Sequence, residues 1–293
     1  MKNPLALTIF LNVLLVWHGS LKAEVENYKA DICVYGGTAS GVMAALAAEK
    51  EGSTVILIEP TRCLGGMTGG GINHLDWGKG ETVGGSTYKI LMEGLKDQKR
   101  AHGGHAKYGI GNKQYRERFK KLVKDRGITV IYDHRVGKVQ VGNETINKPT
   151  REQPIALGEK IVLKNKNNSI RSIILDYAPV DETGCPIPEP KKRHVITISA
   201  KVFIDCSYEG DILGMSGVRY TWGRESREHY DESLAGVRPS LWLHDIDPYV
   251  EPGNPKSGLI PFVQDRKIGP LGSADSLSMG YCFRYEFDKS GKG

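Results

Sequence analysis

Unbroken apolar runs and helix-spaced apolar positions alternate along the first half of the chain. Asp31-Ile-Cys-Val-Tyr35 is an apolar run suited to the buried centre of a parallel sheet. Gly36-Gly-Thr-Ala-Ser-Gly41 follows, then the small-residue run Val42–Glu49, rich in alanine, which predicts a helix closely packed on a sheet and ended by Gly52. Thr54–Ile58 predicts a second strand, ending on Glu59. A glycine-rich loop to about Gly85 precedes Ser86, an N-cap for a predicted helix from Thr87 to about Ala101. Tyr115, Phe119, Leu122 and Val123 keep helical spacing across Asn112–Arg126, Gly127 stops that helix, and Ile128–Tyr132 predicts a third strand.

The pattern then changes. Short alternating runs at Val136–Val141, Lys160–Lys164, Ile170–Asp176 and His194–Ile198, with a Pro-rich loop from Tyr177 to Arg193, predict an antiparallel meander. Lys201–Asp205 returns to the buried-strand pattern and ends on Asp205-Cys-Ser-Tyr-Glu-Gly-Asp211, before a short helix to Gly217. Residues 24–29 read as a polar lead-in, and the chain beyond Val218 as loop-rich and aromatic.

Strand, glycine turn, helix, strand and acid, in that order, are what a dinucleotide-binding βαβ unit requires. The turn lets a pyrophosphate approach the helix N-terminus, whose dipole and amides favour an anion. Glu59 has the spacing of an acid that binds a ribose hydroxyl. Thr38 stands where the general fingerprint has its middle glycine, which puts a side chain where backbone should approach phosphate. Two features favour FAD over NAD: the second glycine cluster Leu64-Gly-Gly-Met-Thr68, and the late strand ending in Asp205 with Gly210-Asp211 after it. A longer cofactor needs contacts beyond the first turn.

Bulk properties narrow the class. The 293 residues suffice for two domains, and 39% hydrophobic with 25% charged residues fits a globular protein. The net charge of +6 comes without basic-aromatic interleaving, which argues against nucleic acid as a partner. Five cysteines at wide spacing, with no C-x-x-C, exclude a thiol pair and a zinc knuckle, and no spacing suggests another metal. Lys2, an apolar run from Leu5 to Trp17 and Ala23 predict a secretory signal peptide over residues 1–23, the alternative being an uncleaved anchor. No stable membrane span remains after cleavage.

Tyr35–Gly41, Glu59-Pro60, Leu64–Thr68 and Phe203–Asp211 together resemble the FAD-dependent oxidoreductase family of bacterial, often exported, flavoproteins with a glutathione-reductase-type fold. Tyr220–Glu225, Leu234–Val237 and Gly280–Arg284 also look like family stretches. The resemblance implies an α/β, Rossmann-like, three-layer FAD-binding fold over residues 24–217, with the meander at about 135–198, and an incomplete substrate domain over 218–293. By that resemblance Gly36, Gly37, Thr38, Ala39, Ser40 and Gly41 hold the pyrophosphate, and Glu59 binds the adenosine ribose. Pro60, Arg62, Gly65, Gly66, Met67 and Thr68 line the cofactor path, and the backbone of Val136 contacts adenine. Asp205, Gly210 and Asp211 lie near the phosphates or ribityl chain. Family members continue past this chain's end, which implies a missing C-terminal partner segment. His74 and Asp76 are the candidate proton-transfer residues for a small-molecule substrate. The expected activity is hydride or electron transfer from that substrate to flavin. An inactive FAD-binding fragment, or a subunit requiring a partner, is the second reading, and a NAD-dependent enzyme the third.

Overall fold

The computed structural model describes residues 25–71, 85, 112–147, 169–218, 220–238, 246–261, 263, 265 and 268–277. The predicted signal peptide, the helix at 87–101, the strand at 160–164 and the segment at 280–284 lie outside them.

One mixed sheet organises the chain. Its strands are β1 (Glu26–Tyr35), β2 (Val55–Glu59), β3 (Thr129–Tyr132), β4 (His134–Val141), β5 (Glu144–Asn147), β6 (Ile170–Tyr177) and β7 (Lys192–Asp205). They lie in the order β3-β2-β1-β7-β6-β4-β5. The first four run parallel, and β7, β6, β4 and β5 continue as an antiparallel meander.

Three strands differ from the sequence reading. The predicted runs at 194–198 and 201–205 are one strand, because nothing in Ser199-Ala-Lys201 breaks the ladder and β1 pairs with it from Glu26↔Ile196 to Tyr35↔Asp205. The polar lead-in is the first half of β1 for the same reason: β7 supplies its backbone partners while its side chains stay largely exposed. The turn Gly142-Asn143 joins β4 to β5, a hairpin that the sequence reading omitted.

Helices cover one face. α1 (Ala39–Lys50) and α2 (Asn112–Asp125) pack Val42, Ala45, Tyr115, Phe119 and Val123 against Val34 and Leu57. The meander closes the other face. There Cys33, Tyr35, Ile56 and Ile58 share a core with Val136, Val139, Ile173, Leu175 and Ile198. The three layers are therefore helix, parallel sheet and meander, as expected of the fold class. β7 is paired on both sides only as far as Ser199, where β6 leaves it. Its edge from Ala200 to Asp205 carries no strand among the described residues, and a groove of about 450 Å³ lined by Ile170, Val202, Phe203, Ile212, Leu213 and Val218 runs along it.

The phenol of Tyr115 is buried in the helix-side core with no hydrogen-bond partner among the described residues. A buried donor left unpaired costs about 1–3 kcal/mol. Tyr115→Phe should therefore raise the unfolding free energy by about 1 kcal/mol. A shifted urea midpoint with an unchanged slope checks it, and a lowered midpoint contradicts it.

Candidate cofactor-binding site

The carboxyl ends of β1, β2 and β7 meet, and each continues into a glycine-containing segment. Parallel registry brings Tyr35 level with both Ile58 and Asp205. Ligands of open α/β sheets bind beyond such strand ends.

The turn after β1 is held from three sides. Gly36 adopts φ +93°, and a Cβ there would lie 2.6 Å from the Ser207 nitrogen, so only glycine serves. Gly41 packs with no space for a side chain against the Gly36 carbonyl, which seats α1 close to the sheet. Thr38 does not obstruct the turn, contrary to the expectation drawn from the general fingerprint. Its φ of −62° needs no glycine, and its side chain turns inward, 7% exposed. The hydroxyl donates to the Cys206 carbonyl at 2.9 Å and accepts from the Gly41 amide at 3.2 Å, capping α1. Ala39 and Ser40 form the first turn of the helix, where amides have no intrahelical acceptor.

Glu59 closes the turn from below. Its Oε2 accepts from the Gly37 amide at 2.8 Å, and Oε1 takes the Thr61 amide at 2.7 Å and the Thr61 hydroxyl at 2.5 Å. A carboxylate offers about four acceptor positions, so one on Oε2 is left for a ribose hydroxyl. Burial pushes the Glu59 carboxyl above its ordinary range, against the donors of Thr61 and Gly37. Pro60 leads into Arg62, whose guanidinium pairs with Asp133 at 2.9 Å. Arg62, Lys120, Lys124, Tyr132 and Asp133 border a groove of about 610 Å³ beside β3.

The second glycine cluster docks on the first. The Gly65 amide donates to the Gly37 carbonyl at 2.7 Å, and Gly65 packs on the Phe119 ring with no room for a Cβ. Gly66 begins the turn that continues as a π-helical turn over Met67–Gly71, with Thr68 inside it. This places Gly65–Thr68 beside Gly36–Gly41, although the two clusters are separate in sequence.

The segment after β7 completes the group. Asp205 accepts four bonds: Ser207 amide and hydroxyl on Oδ1, and the amides of Ile212 and Leu213 on Oδ2, both at 2.8 Å. It thus caps α3 (Asp211–Met215), which Gly210 enters in a left-handed conformation. These donors fill the carboxylate, so its structural role is capping. Val136 is 1% exposed in the meander-side core, and its amide donates to the Tyr35 hydroxyl at 3.2 Å. That hydroxyl donates in turn to Asp211 at 3.1 Å. Burial, then Asp211, pushes the Tyr35 phenol well above its usual range. The site reading had given no role to Tyr35, Thr61 or Tyr208. Thr61 was detectable as a hydroxyl two residues past the acid, whereas the Tyr35 link spans 176 positions and leaves no local signal. His74 and Asp76 lie outside the described residues. Among the described residues no cluster suits a metal ion.

A family model described as FAD dependent oxidoreductase matches residues 31–157 and 187–290. The chain belongs to that family. The family's cofactor is FAD, and the cradle fits it: glycines without room for side chains, an inward-turned cap, a helix N-terminus and a buried acid with a spare acceptor. No curated protein matches the chain in sequence. Among solved structures it is similar to a geranylgeranyl bacteriochlorophyll reductase-like protein from Thermoplasma acidophilum, at 12% identity and TM-score 0.36, over 66% of this chain and 43% of that one. It is also similar to a flavoprotein/dehydrogenase from Cytophaga hutchinsonii, at 15% identity and TM-score 0.36, over 68% and 44%. The chain spans less than half the length of either.

The Glu59 environment gives a pH signature for the FAD site. A raised folded pKa favours the neutral acid, so its stabilising contribution is complete below the unfolded value of 4.5 and is lost as pH rises through the folded one. Glu59→Gln should therefore flatten the fall of unfolding free energy from pH 4.5 towards neutrality. Urea titrations across that range check it, and parallel profiles for both proteins contradict it.

Proposed function

We propose that the chain forms the FAD-holding part of an oxidoreductase that takes a hydride or electrons from a small-molecule substrate. The observation that carries this reading is the meeting of Gly36–Gly41, Glu59, Gly65–Gly71 and Asp205–Asp211 beyond the ends of three parallel strands. Flavin supplies hydride or electron acceptance when bound, and the protein supplies orientation and electrostatics. In this reading the Ala39 and Ser40 amides and the α1 dipole face the pyrophosphate, and Glu59 accepts from the ribose. The Val136 backbone is assigned to adenine, which requires the amide now bonded to Tyr35 to exchange partners or the carbonyl to serve instead. Gly210 and Asp211 approach the ribityl chain. His74 and Asp76 are the proposed proton carriers on the substrate side.

Residues 1–23 are proposed as a secretory leader, which would make the mature protein an exported flavoprotein. No helix among the described residues is long and apolar enough to cross a membrane.

A second reading is a subunit whose redox site is completed by further polypeptide. The edge of β7 from Ala200 to Asp205, without a strand partner among the described residues, favours it: Val202 is 50% exposed in a strand of a parallel sheet, where burial on both faces is usual.

The test is an absorbance spectrum of the purified protein after FAD is added and the excess removed. The expected result is close to one flavin per chain, bleached anaerobically by a substrate. Retained flavin that no donor reduces would favour the subunit reading. A folded protein that retains no flavin would overturn the proposal.

A further inference from the structure

Tyr208 links the segment after β7 to the second glycine cluster, and neither the sequence reading nor the proposed function gives it a role. The chain leaves β7 with Cys206 and Ser207 pressed against Gly36, and the next side chain lies across Gly66. Its hydroxyl accepts from the Met67 amide at 2.8 Å, at the start of the Met67–Gly71 turn. A Cβ on Gly66 would lie 2.3 Å from the Tyr208 hydroxyl oxygen and 3.0 Å from the ring carbon that bears it, so glycine there makes room for the phenol end. Tyr208 is nonetheless 54% exposed, and Met67 is 42% exposed.

A side chain anchored at its polar end, with an apolar face turned to solvent, suits contact with a flat ligand. Met67 adds a polarisable thioether, which packs well against rings. The polar elements already have assignments: the amides of α1 face the pyrophosphate, and Glu59 on the β2 side faces the adenosine ribose. The flat group left over is the isoalloxazine.

Resting on the reading that FAD is held here, we propose that Tyr208 positions the flavin ring. Its hydroxyl fixes the second glycine turn, and its exposed face, with Met67, forms the wall on which the isoalloxazine stacks.

The test compares FAD and ADP affinities of the full chain, as wild type, Tyr208→Phe and Tyr208→Ala. ADP reports the first turn and Glu59 alone, so it separates loss of the ring wall from damage to the fold. Tyr208→Ala should weaken FAD by roughly tenfold or more while leaving ADP unchanged, the scale of one aromatic stacking contact. Tyr208→Phe should keep most of the FAD affinity, because the ring face survives. Equal weakening of FAD and ADP in Tyr208→Ala, an unaltered FAD affinity, or a Phe variant as weak as the Ala variant would overturn the proposal. Wild-type protein that binds no FAD would overturn the underlying reading, and that result appears before any substitution is made.

Discussion

The pairing of β7 alongside β1 is the constraint on which the site depends. Only this ladder carries Asp205 to the level of Tyr35 and sets Cys206 and Ser207 against Gly36. From that contact the rest follows. The Cys206 carbonyl takes the Thr38 hydroxyl, Thr38 caps α1, and the helix N-terminus is aimed along the strand ends. Asp205 turns the chain into α3, and Asp211 on α3 meets Tyr35 from the opposite face of the sheet.

Burial sets the character of the groups in this arrangement. Glu59 is 5% exposed, yet it carries three donors and so can remain a defined acceptor under the turn. Tyr35 is fully buried and links β1, the start of the meander and α3 through one hydroxyl. A low-dielectric surround strengthens such links once every member is satisfied. Cys33 is simply a small buried side chain, its thiol pushed up to about 12 by desolvation. A thiol so held stays protonated and is a packing residue, not a reactive one.

Much of this was legible in the sequence, because it is local. The run Asp31–Tyr35, its glycine turn and Glu59 follow one another within thirty residues, and each step has its own pattern. The glycine clusters were legible too, but not their docking, since Gly65 meets the Gly37 carbonyl and the Phe119 ring of α2, both remote in sequence. The inward turn of Thr38 was hidden for a similar reason: its partner Cys206 is 168 positions away. The length of β7 was missed because Ser199–Lys201 has no strong strand preference, and only pairing with β1 holds it in line. Hydroxyl-to-carboxylate and aromatic-to-glycine contacts across such distances have no sequence period to reveal them.

The segments from three strand ends are proposed to form one FAD cradle. Amide hydrogen exchange, followed residue by residue with and without FAD, tests it most directly. FAD should slow exchange together at 36–41, 65–71 and 205–211, and leave β5 unchanged. Slowing confined to one of these segments, or none at all with flavin bound, would contradict it.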